Sequence, residues 1–456
     1  MKSWSEMEFS AVDFGDKRIE DRFKQLAERL VLQPMSPINQ ACEDWAESKA
    51  AYRFFQNEKV SSQKILSAHQ DKIKERLRGH ELVLAIQDTT FLSYNGHKKT
   101  TGLGNIGVNQ SSEIQGLVMH TALAVAPSGL PLGILHQHTW AREKRTKHVW
   151  SNSEIRRHRK QPIETKESGK WLEALQATIS LSPKTTRVIT VADRESDVYE
   201  FIYKARKLNS EIVIRVGQDR SIENETSKLW EHMSSVPVCA SVNVEMQEKE
   251  KQPARSACVD ISFTSLSLKA SKTSNFKDST EVCVIWVKEK NPPENAEPLE
   301  WMLLTTIPVK TMDQALEKVQ WYRCRWQIEI YHKILKSGCR VEECRLQSAD
   351  RLKRFLGLMG IIAWRIYWLT YMCRTNPDAP CTSVLADHEW KALHARIKKT
   401  RILPEQIPTV GQSLRWIARL GGFLDRKSDG DPGPITIWRG WHRLNDIATT
   451  WAILSS

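Results

Sequence analysis

Leu82-Val83-Leu84-Ala85-Ile86-Gln87-Asp88-Thr89-Thr90 is the stretch that decides how this chain folds. An apolar run here closes on a carboxylate, the pattern of a buried strand that delivers an acid at its end. A second run of the same kind, Val188-Ile189-Thr190-Val191-Ala192, closes on Asp193 and is followed by Arg194-Glu195. A third carboxylate, Glu329, lies in Trp321-Tyr322-Arg323-Cys324-Arg325-Trp326-Gln327-Ile328-Glu329, an amphipathic helical stretch. Two strand-borne aspartates and one helix-borne glutamate offer only oxygen, which suits hard divalent cations that act on phosphates. Phosphodiester chemistry is the expectation.

Working outward, Gly116 to Ala126 and Leu132 to Trp140 are strands around the turn Pro127-Ser128-Gly129-Leu130-Pro131. A helix from Glu167 to Leu181, the strand to Asp193, a helix from Asp197 to Lys207 and a strand from Glu211 to Val216 follow. Three strands, helix, strand, helix, strand is the ribonuclease H order. That α/β mixed sheet sets its first and fourth strands side by side, bringing Asp88 and Asp193 together. Alternating segments such as Val282-Cys283-Val284-Ile285-Trp286-Val287 mark a β-rich insertion at about 220–308. The first sixty residues read as helices, roughly Phe14 to Val31 and Glu43 to Phe55, broken at Pro34-Met35-Ser36-Pro37. Asn376-Pro377-Asp378-Ala379-Pro380 marks a linker to a helical C-terminal region. The expected domains are therefore 1–70, 71–373 and 374–456.

A formal charge of +13 over 456 residues favours a polyanionic partner, although a merely basic soluble enzyme is the plainer alternative. The charge is not in the N-terminal helices, where nine Lys and Arg face eleven Asp and Glu in residues 1–60. Contact with DNA there would depend on placed residues such as Arg18, Arg22 and Arg53. The nine cysteines contain no CxxC pair, so a zinc ribbon is not expected and reduced thiols are. Phe355 to Met372 is apolar but carries Arg365 at its centre, which suits a buried helix better than a membrane span. No signal peptide is evident in Met1-Lys2-Ser3-Trp4-Ser5-Glu6.

On a helical wheel from Met312 to Lys336, Val319, Trp326, Ile330 and Ile334 form one stripe expected to face the core. Tyr322, Arg325, Glu329 and Lys336 share an adjoining stripe, with Lys333 at its edge. A carboxylate flanked at one-turn intervals by a hydroxyl and two cations suits a metal ligand whose neighbours hold phosphates. The bland alternative is a surface Arg–Glu pair, worth a few tenths of a kcal/mol.

Tyr322-x2-Arg325-x3-Glu329-x6-Lys336 matches the YREK signature of bacterial DDE cut-and-paste transposases, the insertion-sequence class of the Tn-five type. The resemblance runs almost end to end, through Gly15-Asp16, Ala51-Tyr52-Arg53-Phe54, Asp88-Thr89-Thr90, Glu167-Ser168-Gly169-Lys170-Trp171, Asp193-Arg194-Glu195 and Asn291-Pro292-Pro293. Ile417-Ala418-Arg419-Leu420-Gly421-Gly422-Phe423 resembles that family's dimerisation segment.

The resemblance implies that Asp88, Asp193 and Glu329 are a catalytic triad holding two Mg2+ ions, with Mn2+ able to substitute. It implies that Tyr322, Arg325, Lys333 and Lys336 contact phosphates near the transposon end. Trp301 would pack where a base flips out during hairpin formation; on pattern alone it is a strand-core tryptophan. The implied organisation is a helical end-binding N-terminal domain, a ribonuclease H-like catalytic domain and a helical C-terminal dimerisation domain. The implied partners are double-stranded DNA at transposon ends, target DNA and a second copy in a synaptic homodimer. The implied location is the bacterial cytoplasm, at the nucleoid, with no membrane partner.

Two other function classes remain open on sequence: a catalytically silent DNA-binding regulator of transposition, and a ribonuclease H-like nuclease without strand transfer. Both triad and flanking domains being present speaks against each. Between Ala141 and Lys170 the chain has ten Lys and Arg against four Asp and Glu, a loop that either tracks DNA or is simply solvated. Gly102-Leu103-Gly104-Asn105-Ile106-Gly107 fits GxGxxG without the strand-then-helix context of a dinucleotide site. His136-Gln137-His138 sets two imidazoles on one strand face, but with no third ligand in sight they read as structural.

Overall fold

In the computed structural model the chain opens with α1 (Trp4–Glu8) and α2 (Lys17–Leu32). Gly15 has φ 73° and Asp16 accepts a hydrogen bond from the Arg18 N–H at 3.1 Å, so α2 starts at Lys17, not at Phe14. The structure describes residues 3–455 apart from 108–113, 144–150, 152, 155, 156, 158, 159, 247–254, 272, 273, 275, 295, 296, 427 and 428. Short α3 (Ile38–Ala41), α4 (Trp45–Gln56) and α5 (Ser62–Leu77) complete the N-terminal helices. Phe9, Phe14, Phe23, Phe54 and Phe55 form their core, with the Phe23 and Phe54 rings stacked 5.6 Å apart.

β1 (Leu82–Ser93) carries the quoted stretch and lies between β3 (Gln115–Val125), antiparallel, and β5 (Arg187–Ala192), parallel. Val83 to Gln87 are buried because both faces of this strand are covered, which is why the run is continuously apolar. β2 (Gly104–Asn105) and β4 (Pro131–Trp140) both pair with β3, and β6 (Glu211–Arg215) runs parallel to β5. α6 (Gly169–Leu181) precedes β5 and α7 (Tyr199–Lys207) follows it. The mixed sheet expected from the sequence is therefore present, with the strands that lead to Asp88 and Asp193, β1 and β5, adjacent.

After α8 (Leu229–Ser235) come the strands expected as an insertion: β7 (Ala240–Met246), β8 (Arg255–Leu268), β9 (Thr280–Glu289) and β10 (Glu300–Thr305). They are not a separate layer. β10 pairs antiparallel with β6, from Leu303 opposite Arg215 to Thr305 opposite Val213, so one sheet runs β2-β3-β1-β5-β6-β10-β9-β8-β7.

The single helix drawn from Met312 to Lys336 is in fact two. α9 (Met312–Arg323) ends where the Arg325 N–H bonds to the Tyr322 carbonyl, a tightened i→i−3 turn, and α10 (Trp326–Lys333) begins. A π-helical turn, Ile334–Gly338, then closes with the Cys339 N–H on the Ile334 carbonyl at 2.7 Å. The core face is accordingly Ile328, Tyr331, Ile334 and Leu335, while Trp326 and Ile330 are only half-buried.

α11 (Ala349–Thr375) packs against α5, β4 and the N-terminal helices. It is long and apolar enough to cross a membrane, but 78% of its most apolar window is buried in the protein. Arg365 lies over the Trp4 ring at 4.8 Å. α12 (Asp387–Lys398), α13 (Val410–Leu420) and α14 (Pro434–Ser455) follow. The apolar faces of these C-terminal helices are covered within the chain. Ile417, Leu420 and Leu444 bury each other in a C-terminal cluster, with Trp416 and Phe423 against it. Trp438 reaches the main core, and Trp441 touches both clusters.

Candidate active site

The parallel register of β1 and β5 runs from Leu82 opposite Arg187 to Gln87 opposite Ala192. The next residue is an aspartate in each case, Asp88 within β1, which runs on to Ser93 beside β3, and Asp193 just past the end of β5, so the two acids stand at one level on neighbouring strands. Asp193 also caps a 3-10 turn, accepting the Glu195 N–H at 2.9 Å. Just beyond it the buried Asp197 accepts from the Gly217 and Gln218 N–H groups at 2.8 and 2.9 Å and pairs with Arg220. This network ties the end of β6 to the turn that carries Asp193.

Glu329 approaches from α10, which packs on β1. Arg325 donates to Glu329 Oε1 at 2.5 Å, and its charge also acts on Asp88, Asp193 and Tyr322. The pair is half-buried at the centre of the carboxylates, not a solvated surface bridge. Tyr322 is buried against Trp301, the two rings edge to face at 5.3 Å. Trp301 itself is half-buried on β10, so it is neither a core residue nor an open platform.

The stripe expected to run on to Lys336 is redirected by the break at Cys324 and by the π turn. Lys336 Nζ donates to the Phe91 carbonyl at 3.0 Å, three residues along β1 from Asp88. Lys333 is exposed. Arg18, Arg22 and Arg53 sit on α2 and α4, which pack on α11. Arg18 is 92% exposed and pairs with its own cap, Asp16, at 3.3 Å. Part of the basic loop at 141–170, including residues 144–150, lies outside the described residues; Arg142 and Glu167, at its two ends, are joined at 2.6 and 2.8 Å.

Two neighbours escaped the sequence. His332 Nδ1 lies 3.5 Å from Asp88 Oδ2, one turn along α10 from Glu329, and its buried Nε2 has no hydrogen-bond partner among the described residues. The Glu329-x-x-His332 spacing was the available signal. Arg215, whose charge reaches Tyr322, closes β6 much as Asp193 closes β5.

The electrostatics fit a divalent cation. Burial first, then the facing Asp88, push the Asp193 carboxyl above its usual range. The folded protein thus holds this proton more tightly than the unfolded chain, and stability is lost as pH rises through the usual aspartate range and beyond. Asp193→Asn keeps the acceptor for the Glu195 N–H and removes the charge. At pH 7, without metal, this variant should melt a few degrees higher than the parent, a gain that fades as pH falls toward about 4. An unchanged or lower Tm at pH 7 would show that the acids do not strain the fold.

Three family models match the chain. Residues 1–60 match one described as transposase DNA-binding, 142–365 one described as transposase DDE domain, and 361–451 one described as transposase Tn5 dimerisation domain. The second match contains Asp193 and Glu329 and begins beyond Asp88.

Proposed function

The chain is an insertion-sequence DDE transposase resembling that of Tn5, and on that premise we propose that Asp88, Asp193 and Glu329 carry out its metal-dependent DNA cleavage and strand transfer. What supports this is that Asp88 and Asp193 stand level on the neighbouring β1 and β5, and that Arg325, which bonds Glu329, acts on both. Asp88, Asp193 and Glu329 would hold two Mg2+, replaceable by Mn2+, which when bound would supply Lewis acidity for phosphodiester cleavage and joining. The reaction is cut-and-paste through a hairpin, with the 3′ ends joined to target DNA. The domains are residues 1–70 for end binding, 71–373 for catalysis with the strands of 220–308 included, and 374–456 for pairing. The working place is the bacterial cytoplasm, at the nucleoid.

In this proposal each remaining side chain has a physical task. Arg325 fixes the Glu329 carboxylate and offers its other donors to a phosphate. Tyr322 sets its hydroxyl beside that guanidinium, and Trp301 presents a half-buried ring where an unstacked base packs. Lys333 and Lys336 neutralise the strand that crosses β1, and Arg18, Arg22 and Arg53 hold backbone phosphates of the end sequence. Incubating the protein with Mg2+ and linear DNA bearing its own element's ends should give nicks at the ends, hairpins and strand-transfer products. End binding without nicking would leave a silent regulator, and cutting without joining a nuclease.

Arg325→Ala should lower hairpin formation by roughly 10- to 100-fold, the worth of a lost charge-assisted hydrogen bond. Lys336→Ala should cost less, because its head group is held by the Phe91 carbonyl and not by a carboxylate of the cluster. Both should leave metal affinity within a few-fold. Unchanged cleavage and assembly at moderate salt would reduce these residues to local ion-pairing and tethering.

A further inference from the structure

We propose that His136, His138 and Glu173 form a second metal site, suited to Zn2+ and separate from the active-site carboxylates. On sequence the two histidines lack a third ligand; the fold supplies it. β4 turns His136 and His138 to one side, toward α6, while Gln137 between them donates to the Leu356 carbonyl at 3.2 Å on the other. Glu173, in the second turn of α6, meets both imidazoles. His136 Nε2 lies 3.6 Å from Glu173 Oε1, and His138 Nδ1 lies 2.9 Å from Glu173 Oε2. All three ligand atoms fall within 4.8 Å of one another.

A tetrahedral Zn2+ with ligands at about 2.0–2.2 Å sets its donors roughly 3.3–3.6 Å apart, so the observed triangle needs only small adjustment. A further observation points into the site. The His136 side chain is only 7% exposed, and its Nε2 has no hydrogen-bond partner among the described residues, leaving a buried ring nitrogen that faces the cluster. Two imidazoles and one carboxylate select a borderline transition metal over Mg2+, and leave a fourth position open toward solvent beside exposed His138 and Glu173.

The position gives the ion a task. β4 ends at Trp140 and α6 begins at Gly169, so the whole basic segment leaves and returns at this neck. Arg142 and Glu167 already bridge it, and a metal between β4 and α6 would clamp it a second time. The ion is thus a staple at the root of that segment, not a participant in phosphodiester chemistry.

The test uses Co2+ as a visible probe in the full-length chain, with Asp88→Asn, Asp193→Asn and Glu329→Gln combined so that no signal comes from the active site. One equivalent of Co2+ should bind with the intense visible bands of a low-coordinate site, and Zn2+ should displace it. Zn2+ should also raise Tm in this background. Adding Glu173→Gln, at a surface position that leaves the fold intact, should weaken Co2+ binding roughly 100-fold or more and cancel the Zn2+ shift. His138→Ala should do the same. Absence of bound Co2+ in the triple variant, or equal binding after Glu173→Gln, would overturn the site and leave His138 and Glu173 as a plain hydrogen-bonded pair.

Discussion

Glu329→Ala protein is expected to bind transposon ends normally and to nick them at least roughly a thousandfold more slowly than the parent. The asymmetry follows from where the two kinds of energy reside. Affinity for DNA comes mainly from cations on phosphates, and this substitution removes none of them. Catalysis as proposed needs a third oxygen donor beside Asp88 and Asp193, and among the described residues Glu329 is the carboxylate that Arg325 bonds. The substitution also frees Arg325, so end binding should hold steady or tighten slightly. The same loss is expected for Asp88→Ala and Asp193→Ala, and strand transfer should fall with nicking because one site serves both steps. A Glu329→Ala protein that still cleaves would sink the assignment. Gel-shift and cleavage assays on the same DNA separate the two readouts.

Removing the residues beyond about Asp378 should abolish the paired-end complex, a loss of two orders of magnitude or more, while single-end binding changes only a few-fold. The match to a transposase dimerisation domain covers 361–451 and supports dimer formation. The full chain should be largely monomeric when free and dimeric on DNA ends. The surface involved is not the apolar faces of α12, α13 and α14 that pack against one another. Apolar side chains still in solvent there include Ile402, 81% exposed, and Leu424, 65% exposed. Because truncation also uncovers the contacts of Trp438 with the main core, Ile402→Glu with Leu424→Glu is the gentler variant. It too should lose paired ends in a gel shift at unchanged Tm. Truncated protein that still pairs two ends would place dimerisation elsewhere.

What could be read from the sequence was what lies on a single element. The runs ending at Asp88 and Asp193 announced themselves because a strand buried on both faces is apolar throughout, and the parallel register sets the two runs level. Pairings between distant segments left no such trace. Nothing in Glu300–Thr305 tells that it extends the catalytic sheet through β6, and nothing in α6 tells that Glu173 meets two histidines of β4. A wheel of constant pitch could not anticipate the tight turn at Arg325 or the π turn after Lys333, and so misplaced Lys336. The amphipathic C-terminal helices showed that a face was apolar, but not whose face would cover it.

α11 runs unbroken for 27 residues, and the matched catalytic and dimerisation regions overlap inside it, at 361–365. A continuous helix of that length is a shaft of roughly 40 Å with no joint. Whatever grips its far end is geared to α10, since Tyr367 bonds Gln327, two residues before Glu329, and the gear ratio is the helical repeat. One residue added or lost in the exposed stretch before Asn376 would swing everything downstream through about 100°, whereas a change of seven residues, close to two turns, would nearly restore the phase. If two copies meet through their C-terminal regions, the stagger between two cuts is a length machined into this helix, and its drift over generations is quantised.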